Sequence, residues 1–395
     1  MRNIWKRSVV TSRPVIRTVL SGSCGKFCNA PKHRLYDKIL TTDAHGLTLM
    51  NTDKENISVD KYKGKAFLKW KKKFTVSSLH DYEKNDYNAL TEGYAPKNCA
   101  IADFGLIFAK DRRYHLFHIV RRGGTCLWPG NECYFGHAAT ENFVNWITYD
   151  PVLYVREHTW ESHHVFAPFP FYFKGKYHLA YTGITRTMFE GIGLAHSDDL
   201  FHWERDHGNP IISPDRCKWM DSGACAACRD PHVLIEKDIC YLYFSCITKF
   251  GYPAIGCATS EDLAHWSAPV IVYTKEPVCA PGGLVESSAV HARPEGGYIL
   301  FFNHVADGNN QRLLGDNAID FKKSRRKTLP MDGMTIEVVA KLRDKWLIAT
   351  FFQGKLFLYI FYWKDNDIDI SRTEKVKKEI QIREFMPEKN KGKKR

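Results

Sequence analysis

The sequence predicts an all-β fold, a five-bladed β-propeller with a poorly defined basic N-terminal segment. Three observations predict it. A glycine-to-tryptophan motif recurs three times. Each copy follows a pair of strand-like runs joined by turn residues. Aromatic residues make up 13% of the 395 positions and gather in runs such as FPFYF and YLYFS, which suit pleated, half-buried surfaces.

Taken in chain order, residues 1–95 read as a basic leader or extension. The first acidic residue is Asp37, so the opening stretch is rich in Arg, Ser and Thr and free of acids. It fits an organellar transit segment, an unstructured leader or a misassigned start. Arg13 and Arg17 interrupt the apolar run a secretory signal needs. The expected location is cytoplasmic, with a transit segment as the alternative.

Residues 96–365 carry the repeats. Gly136–Trp146 reads GHAATENFVNW, Gly193–Trp203 reads GLAHSDDLFHW and Gly256–Trp266 reads GCATSEDLAHW. Before them, Ala102–Phe108 leads to Tyr114–Phe117, Ala167–Phe171 to Tyr177–Tyr181, and Arg229–Leu234 to Tyr241–Phe244. A fourth pair is Glu286–Val290 with Tyr298–Phe302. Lys174-Gly175-Lys176 and Glu295-Gly296-Gly297 supply hairpin turns. Each unit is therefore strand, hairpin, strand, a third strand with small residues, an acidic turn with Trp, and a fourth strand: one propeller blade. A more divergent fifth blade is expected at Val338–Leu342, Trp346–Thr350 and Leu356–Ile360. Trp146, Trp203 and Trp266 are expected to pack between blades. Residues 366–395 would close the ring and end in a basic tail.

A blade sets its first strand beside the central channel, so a side chain at its start faces a shared funnel. Asp103 lies 11 residues before Tyr114, Asp230 lies 11 before Tyr241 and Glu286 lies 12 before Tyr298. This counting places the three carboxylates at matching positions of blades one, three and four, with Ala167-Pro168 in that place in blade two. Converging acids are costly unless they bind a cation, share protons or do chemistry. Glycoside hydrolysis needs such a set, one to protonate the leaving oxygen and another to attack the anomeric carbon or activate water.

The region from Asp103 to about Phe302 resembles the five-bladed catalytic propeller of glycoside hydrolase families 32 and 43. Tyr114–Phe117 (YHLF), followed by Gly136-His137 and Asn145-Trp146, is similar to the first blade of invertases and levanases. Arg229-Asp230-Pro231 matches their RDP motif, and Glu286 stands where their acid/base glutamate is expected. The family 32 resemblance implies Asp103 as nucleophile, Asp230 as transition-state stabiliser and Glu286 as acid/base. The family 43 resemblance implies general base, pKa modulator and general acid, with inversion. The chain departs from family 32 in Ala102-Asp103-Phe104-Gly105, where Asn-Asp-Pro-Asn-Gly is usual, and in Glu286-Ser287, where Glu-Cys is usual. The stretch after Trp363 is too short for that family's C-terminal β-sandwich, so a lone propeller is expected.

Further substrate-binding candidates are Arg229, Trp128, Glu161, His164 with its neighbour His163, and His304. Arg229 reads equally as the ion partner that keeps Asp230 oriented. The expected function is a glycosidase of furanosides or short oligosaccharides, β-fructofuranosidase-like. The alternatives are an inverting arabinan- or xylan-directed hydrolase, a phosphorolytic relative and a non-catalytic sugar-binding propeller.

No cofactor and no metal are expected. Cys225-x-x-Cys228, with Cys217 upstream, lacks a second ligand pair at zinc spacing. Most of the twelve cysteines sit singly in apolar runs, as buried thiols do. The net charge of +13 goes with three basic runs, at the N-terminus, Lys322–Lys327 and Lys389–Arg395, which read as solvated segments outside the core. These lack the aromatic interleaving of a nucleic-acid-binding surface, so a carbohydrate is the expected partner and nucleic acid is not. No apolar run is long enough to span a membrane as a helix. The oligomeric state does not follow from the sequence.

Overall fold

The computed structural model describes residues 82–83, 87–122, 130–223, 227–274, 284–305, 308–321 and 325–386. The described chain forms five antiparallel sheets, each one blade. Blade one holds β2 (Ala100–Phe108), β3 (Tyr114–Arg121), β4 (Phe135–Thr140) and β5 (Trp146–Val152), with β1 (Tyr82–Glu83) added outside β5. Blade two holds β6 (His164–Phe173), β7 (Lys176–Ile184), β8 (Glu190–Ser197) and β9 (Glu204–Arg205). Blade three holds β10 (Cys228–Glu236), β11 (Ile239–Ile247), β12 (Pro253–Ser260) and β13 (Val270–Thr274). Blade four holds β14 (Val285–Ala292), β15 (Tyr298–His304), β16 (Asn309–Gly315) and β17 (Lys327–Thr328). Blade five holds β18 (Glu337–Lys341), β19 (Lys345–Phe352), β20 (Lys355–Lys364) and β21 (Asp367–Ile368), with β22 (Glu374–Lys375) also paired to β20.

The recurrent motif is a turn that joins the third strand to the fourth. Thr140, Ser197 and Ser260 accept at Oγ from the backbone N–H three residues on, at 2.9, 2.9 and 2.8 Å. That third residue, Phe143, Leu200 or Leu263, has φ of 58°, 70° or 66° and drops its apolar side chain inward. A hydroxyl and a carboxamide or carboxylate two residues later cap this turn with local side-chain bonds. The tryptophan then donates from Nε1 to the carbonyl of the same apolar residue. Trp146, Trp203 and Trp266 are thus structural, and Trp146 is wholly buried.

The core is divided among the blade interfaces. Separate apolar clusters fill the contacts of blade one with two, two with three, three with four, four with five and five with one. The last contact closes the ring and draws on both ends of the described chain. Helix α1 (Ala89–Glu92) and Tyr94 enter it from the N-terminal side, and Val376, Ile382 and Phe385 from the C-terminal side. Tyr94 stacks on Trp146 at 3.9 Å, and its backbone pairs with Leu356 of blade five. The described part of the segment before residue 96 is therefore built into the ring.

Inner strands approach closely around the channel. A Cβ at Gly105 of β2 would lie 2.4 Å from the Pro168 carbonyl oxygen and 2.3 Å from Pro170 Cδ of β6. Only glycine lets blades one and two meet there. No helix among the described residues is long and apolar enough to cross a membrane.

Candidate active site

Every inner strand carries a bulge near its start. The pairing slips between Ile101 and Phe104, Phe166 and Phe169, Arg229 and His232, Glu286 and Ala289, and Val338 and Ala340. Bulges turn side chains out of the pleat and recur beside functional sites. In blades two to four the first bulged residue lies in the left-handed region: Ala167 at φ 47°, Asp230 at 59° and Ser287 at 52°.

This corrects the reading of matched carboxylate positions. Aligned on the bulges, Asp103 is the second bulged residue of its strand, Asp230 the first of its strand, and Glu286 the residue before the bulge. The counting went astray because it crossed hairpins of unequal length. Phe108 pairs with Tyr114 across five residues, whereas Glu236 pairs with Ile239 across two. The blades supply carboxylates at three successive levels, and the funnel still gathers them.

Ser287 is the hub. Its N–H donates to Asp230 Oδ2 at 2.9 Å, and its Oγ lies 3.4 Å from Asp103 Oδ1. Thr335 of the segment before β18 donates to Asp103 Oδ1 at 2.5 Å and lies 3.2 Å from Ser287 Oγ. Asp230 N–H donates to Thr182 Oγ1 of blade two at 3.0 Å. Arg229 joins Glu286 to the group, with Nη1 3.2 Å from Glu286 Oε1. Its Nε and Nη2 grip Glu190 of blade two at 2.9 and 2.6 Å.

Asp103, Asp230, Ser287 and Thr335 line a cavity of about 20 Å³, room for about one water, together with Ala167, Pro168, His232, Ser288 and Glu337 among others. Burial raises the Asp103 carboxyl above its ordinary range, and the Thr335 hydroxyl, Arg121 and Arg229 oppose it. Burial, then the Asp103 and Glu286 charges, raises the Asp230 carboxyl well above its ordinary range, and Arg229 and the Ser287 N–H oppose it. Glu286 is raised by burial, opposed by Arg229 and reinforced by Asp103 and Glu190. Glu337 is a fourth buried carboxyl, raised by burial alone.

The remaining candidates divide. Arg229 belongs to the site, but its hydrogen bonds go to Glu190 and Glu286 rather than to Asp230, the carboxylate it was expected to orient, which feels it only as a nearby charge. Glu161 is not on the rim. It is wholly buried at the contact of blades one and two, bonded to Arg205 Nε at 2.5 Å, where Trp160 packs against Gly183 and Gly193. His304 ends β15 wholly buried, and among the residues lining the cavity it does not appear. His164 opens β6, is buried, and holds the Asn131 carbonyl from Nδ1 at 3.2 Å. His164 is thereby tied to the segment before β4. His163 lies tilted against His164, with ring centres 4.0 Å apart. Trp128 and Cys225 lie outside the described residues, and Cys228 is a buried free thiol.

The sequence reading missed Ser287, Thr335, Glu190, Glu337 and Arg121, which bonds Glu132 at 2.6 Å beside Asp103. Glu190 and Thr335 lie outside the inner-strand starts that the repeats mark.

With the ring, the RDP sequence and the gathered carboxylates in place, comparison with known families decides the assignment. The glycosyl hydrolases family 32 N-terminal domain matches residues 94–314. The chain belongs to this family. It is a glycosidase built on a five-bladed propeller. Its fold is similar to a thermostable family 43 glycoside hydrolase, at 14% identity and a TM-score of 0.56, covering 71% of this chain and 95% of that one. It is similar also to a family 32 β-fructofuranosidase of Bombyx mori, at 16% identity and a TM-score of 0.54, covering 69% of this chain and 64% of that one. A third similar structure is an endo-arabinase of Bacteroides thetaiotaomicron, at 15% identity and a TM-score of 0.52, covering 68% of this chain and 96% of that one. No curated protein sequence matches the chain.

Proposed function

We propose that this family 32 member hydrolyses furanosides, with β-fructofuranosides or related short oligosaccharides as substrates. Asp103 is the nucleophile, Asp230 the sugar-positioning carboxylate and Glu286 the acid/base. The observation that supports this most is the joining of three carboxyl groups from separate blades, two through Ser287 and the third through Arg229.

On this reading an ionised Asp103 oxygen attacks the anomeric carbon while the bond to the leaving oxygen breaks. Glu286 gives that oxygen its proton. Water then attacks the same carbon, Glu286 takes the water's proton, and Asp103 leaves as a carboxylate. The short Thr335 bond and the two arginines favour the anion that the first step needs. Burial raises the Glu286 carboxyl, the direction a general acid requires. Asp230, with Oδ2 held by the Ser287 N–H, turns its other oxygen to sugar hydroxyls. The Bombyx mori enzyme has been seen with sucrose, and a fructosyl substrate is carried over from it here.

A second reading is inverting hydrolysis of arabinan- or xylan-type substrates, with Asp103 as base toward water. The cavity beside Asp103, with room for one water, favours it. A screen of aryl glycosides and fructans, with NMR of the first-formed anomer, tests both. Retention on a furanoside supports the first, inversion the second, and turnover of none rejects both.

A further inference from the structure

Glu190 is a buried carboxylate that the reaction does not use. It opens β8 of blade two, and its side chain is 3% exposed. It makes two contacts with one arginine, Arg229 Nε at 2.9 Å and Nη2 at 2.6 Å. A third bond reaches it from the Cys228 N–H at 3.0 Å. Its two oxygens are thus fixed by the backbone and by the guanidinium fork together.

The grip decides what Arg229 can offer Glu286. Two of the guanidinium's nitrogens face Glu190, and the third makes one contact of 3.2 Å with Glu286. A free arginine beside a carboxylate would form a forked pair and bring its full charge to bear. That would bind the Glu286 anion and strip the proton a general acid must carry. Held by Glu190, the arginine meets Glu286 with one N–H and with its charge largely offset.

We propose that Glu190 is a positioning residue for the acid: it fixes Arg229 by a two-point grip and offsets its charge, so that Glu286 holds a proton while in contact with an arginine. This rests on the reading of Glu286 as the acid. The charged groups that face Glu286 are Arg229 and Asp230 from blade three, Asp103 from blade one and Glu190 from blade two. Asn303, its partner across blade four, is neutral, and blade five presents the Thr335 hydroxyl to the adjoining Ser287. Among these, Glu190 is the group that meets Arg229 through two of its nitrogens.

The test is a titration of Glu286 in full-length protein labelled with carboxyl-13C glutamate, its resonance assigned by loss in Glu286→Gln. Glu190→Gln keeps the shape and removes the charge. The Glu286 midpoint should fall by about one pH unit, and kcat/KM on substrates with poor leaving groups should fall about tenfold above the midpoint. Activated aryl glycosides, which need little protonation, should keep their rate. Glu190→Asp keeps the charge, so its midpoint should stay within a few tenths of a unit of the parent's. An unmoved midpoint in Glu190→Gln would overturn the proposal, and so would a full-unit fall in Glu190→Asp. If Glu190→Gln does not fold, the Asp variant decides. If the parent turns over no glycoside, the functional reading fails, while the NMR midpoint still judges Glu190.

Discussion

Replacing Thr335 by valine removes one hydroxyl from the site and little else. The side chain is buried, its volume is kept, and the lost group is the donor 2.5 Å from Asp103 Oδ1. A hydrogen bond to a charged group contributes about 1.5–3 kcal/mol. The bond favours ionised Asp103, so its loss should raise that carboxyl by about 1–2 pH units, at about 1.4 kcal/mol per unit. Burial already raises this group, and Thr335 is the foremost influence holding it down. The acidic limb of the kcat/KM profile should therefore move up by about 1–2 units, with the plateau at high pH little changed. The assay is hydrolysis of an aryl furanoside across the pH range, with thermal unfolding to confirm the fold. Thr335→Ser, which restores the hydroxyl, should return the limb. A limb that stays in place in Thr335→Val would refute the claim that this hydroxyl sets the ionisation of Asp103.

Three further outcomes follow from packing and burial. His118 is buried on β3 and lowered to about 4, so the folded state stays neutral where the unfolded chain takes a proton. Its contribution is complete above the unfolded value near 6.5 and is lost as pH falls toward 4; from pH 7 to pH 5 it amounts to about 2 kcal/mol. Urea unfolding at the two pH values should show a loss larger than this, because burial also lowers His137, His164, His178, His232 and His291, and His118→Gln should shrink it by about 2 kcal/mol. Gly105→Ala should destabilise by about 1–3 kcal/mol or more, since the added carbon meets the Pro168 carbonyl; an unchanged unfolding midpoint would contradict the close approach. Glu161→Ala leaves Arg205 in place beside an emptied site and should cost about 3–5 kcal/mol in stability. Activity per folded molecule should stay within about twofold, and a raised KM without loss of stability would return Glu161 to the sugar site.

The blades were legible because their turn chemistry is local. The hydroxyl, the acidic or amide residue, the inward apolar residue and the tryptophan all act within seven residues, so Gly136–Trp146 and its copies carry the motif whole. Asp103, Asp230 and Glu286 could be found because they flank strands that the repeats locate. Their relative levels could not, because bulges and hairpin lengths differ between blades. Glu190 was missed because a glutamate opening a third strand looks like any solvated end; its role comes from Arg229, 39 residues away. Thr335 reaches Asp103 across 232 residues, from the blade whose repeat is weakest. Glu161 misled for the opposite reason. Its place before an inner strand suggested the rim, whereas its buried carboxylate pairs with Arg205 of blade two.

The most direct test of the account is the leaving-group dependence of Glu286→Gln beside Asp103→Asn. An acid is needed in proportion to the basicity of the leaving oxygen, and general-acid catalysis supplies about 10²–10⁴-fold. In kcat/KM, which reads the first step, Glu286→Gln should lose about that factor on an alkyl or sugar leaving group and keep most of its value on a nitrophenyl one, while kcat falls on both because Glu286 also takes the proton of the attacking water. Asp103→Asn should lose both, because no leaving group replaces a nucleophile or base. Equal rates of Glu286→Gln and the parent on both substrates would contradict the assignment and move a sugar-binding role ahead of catalysis by this triad.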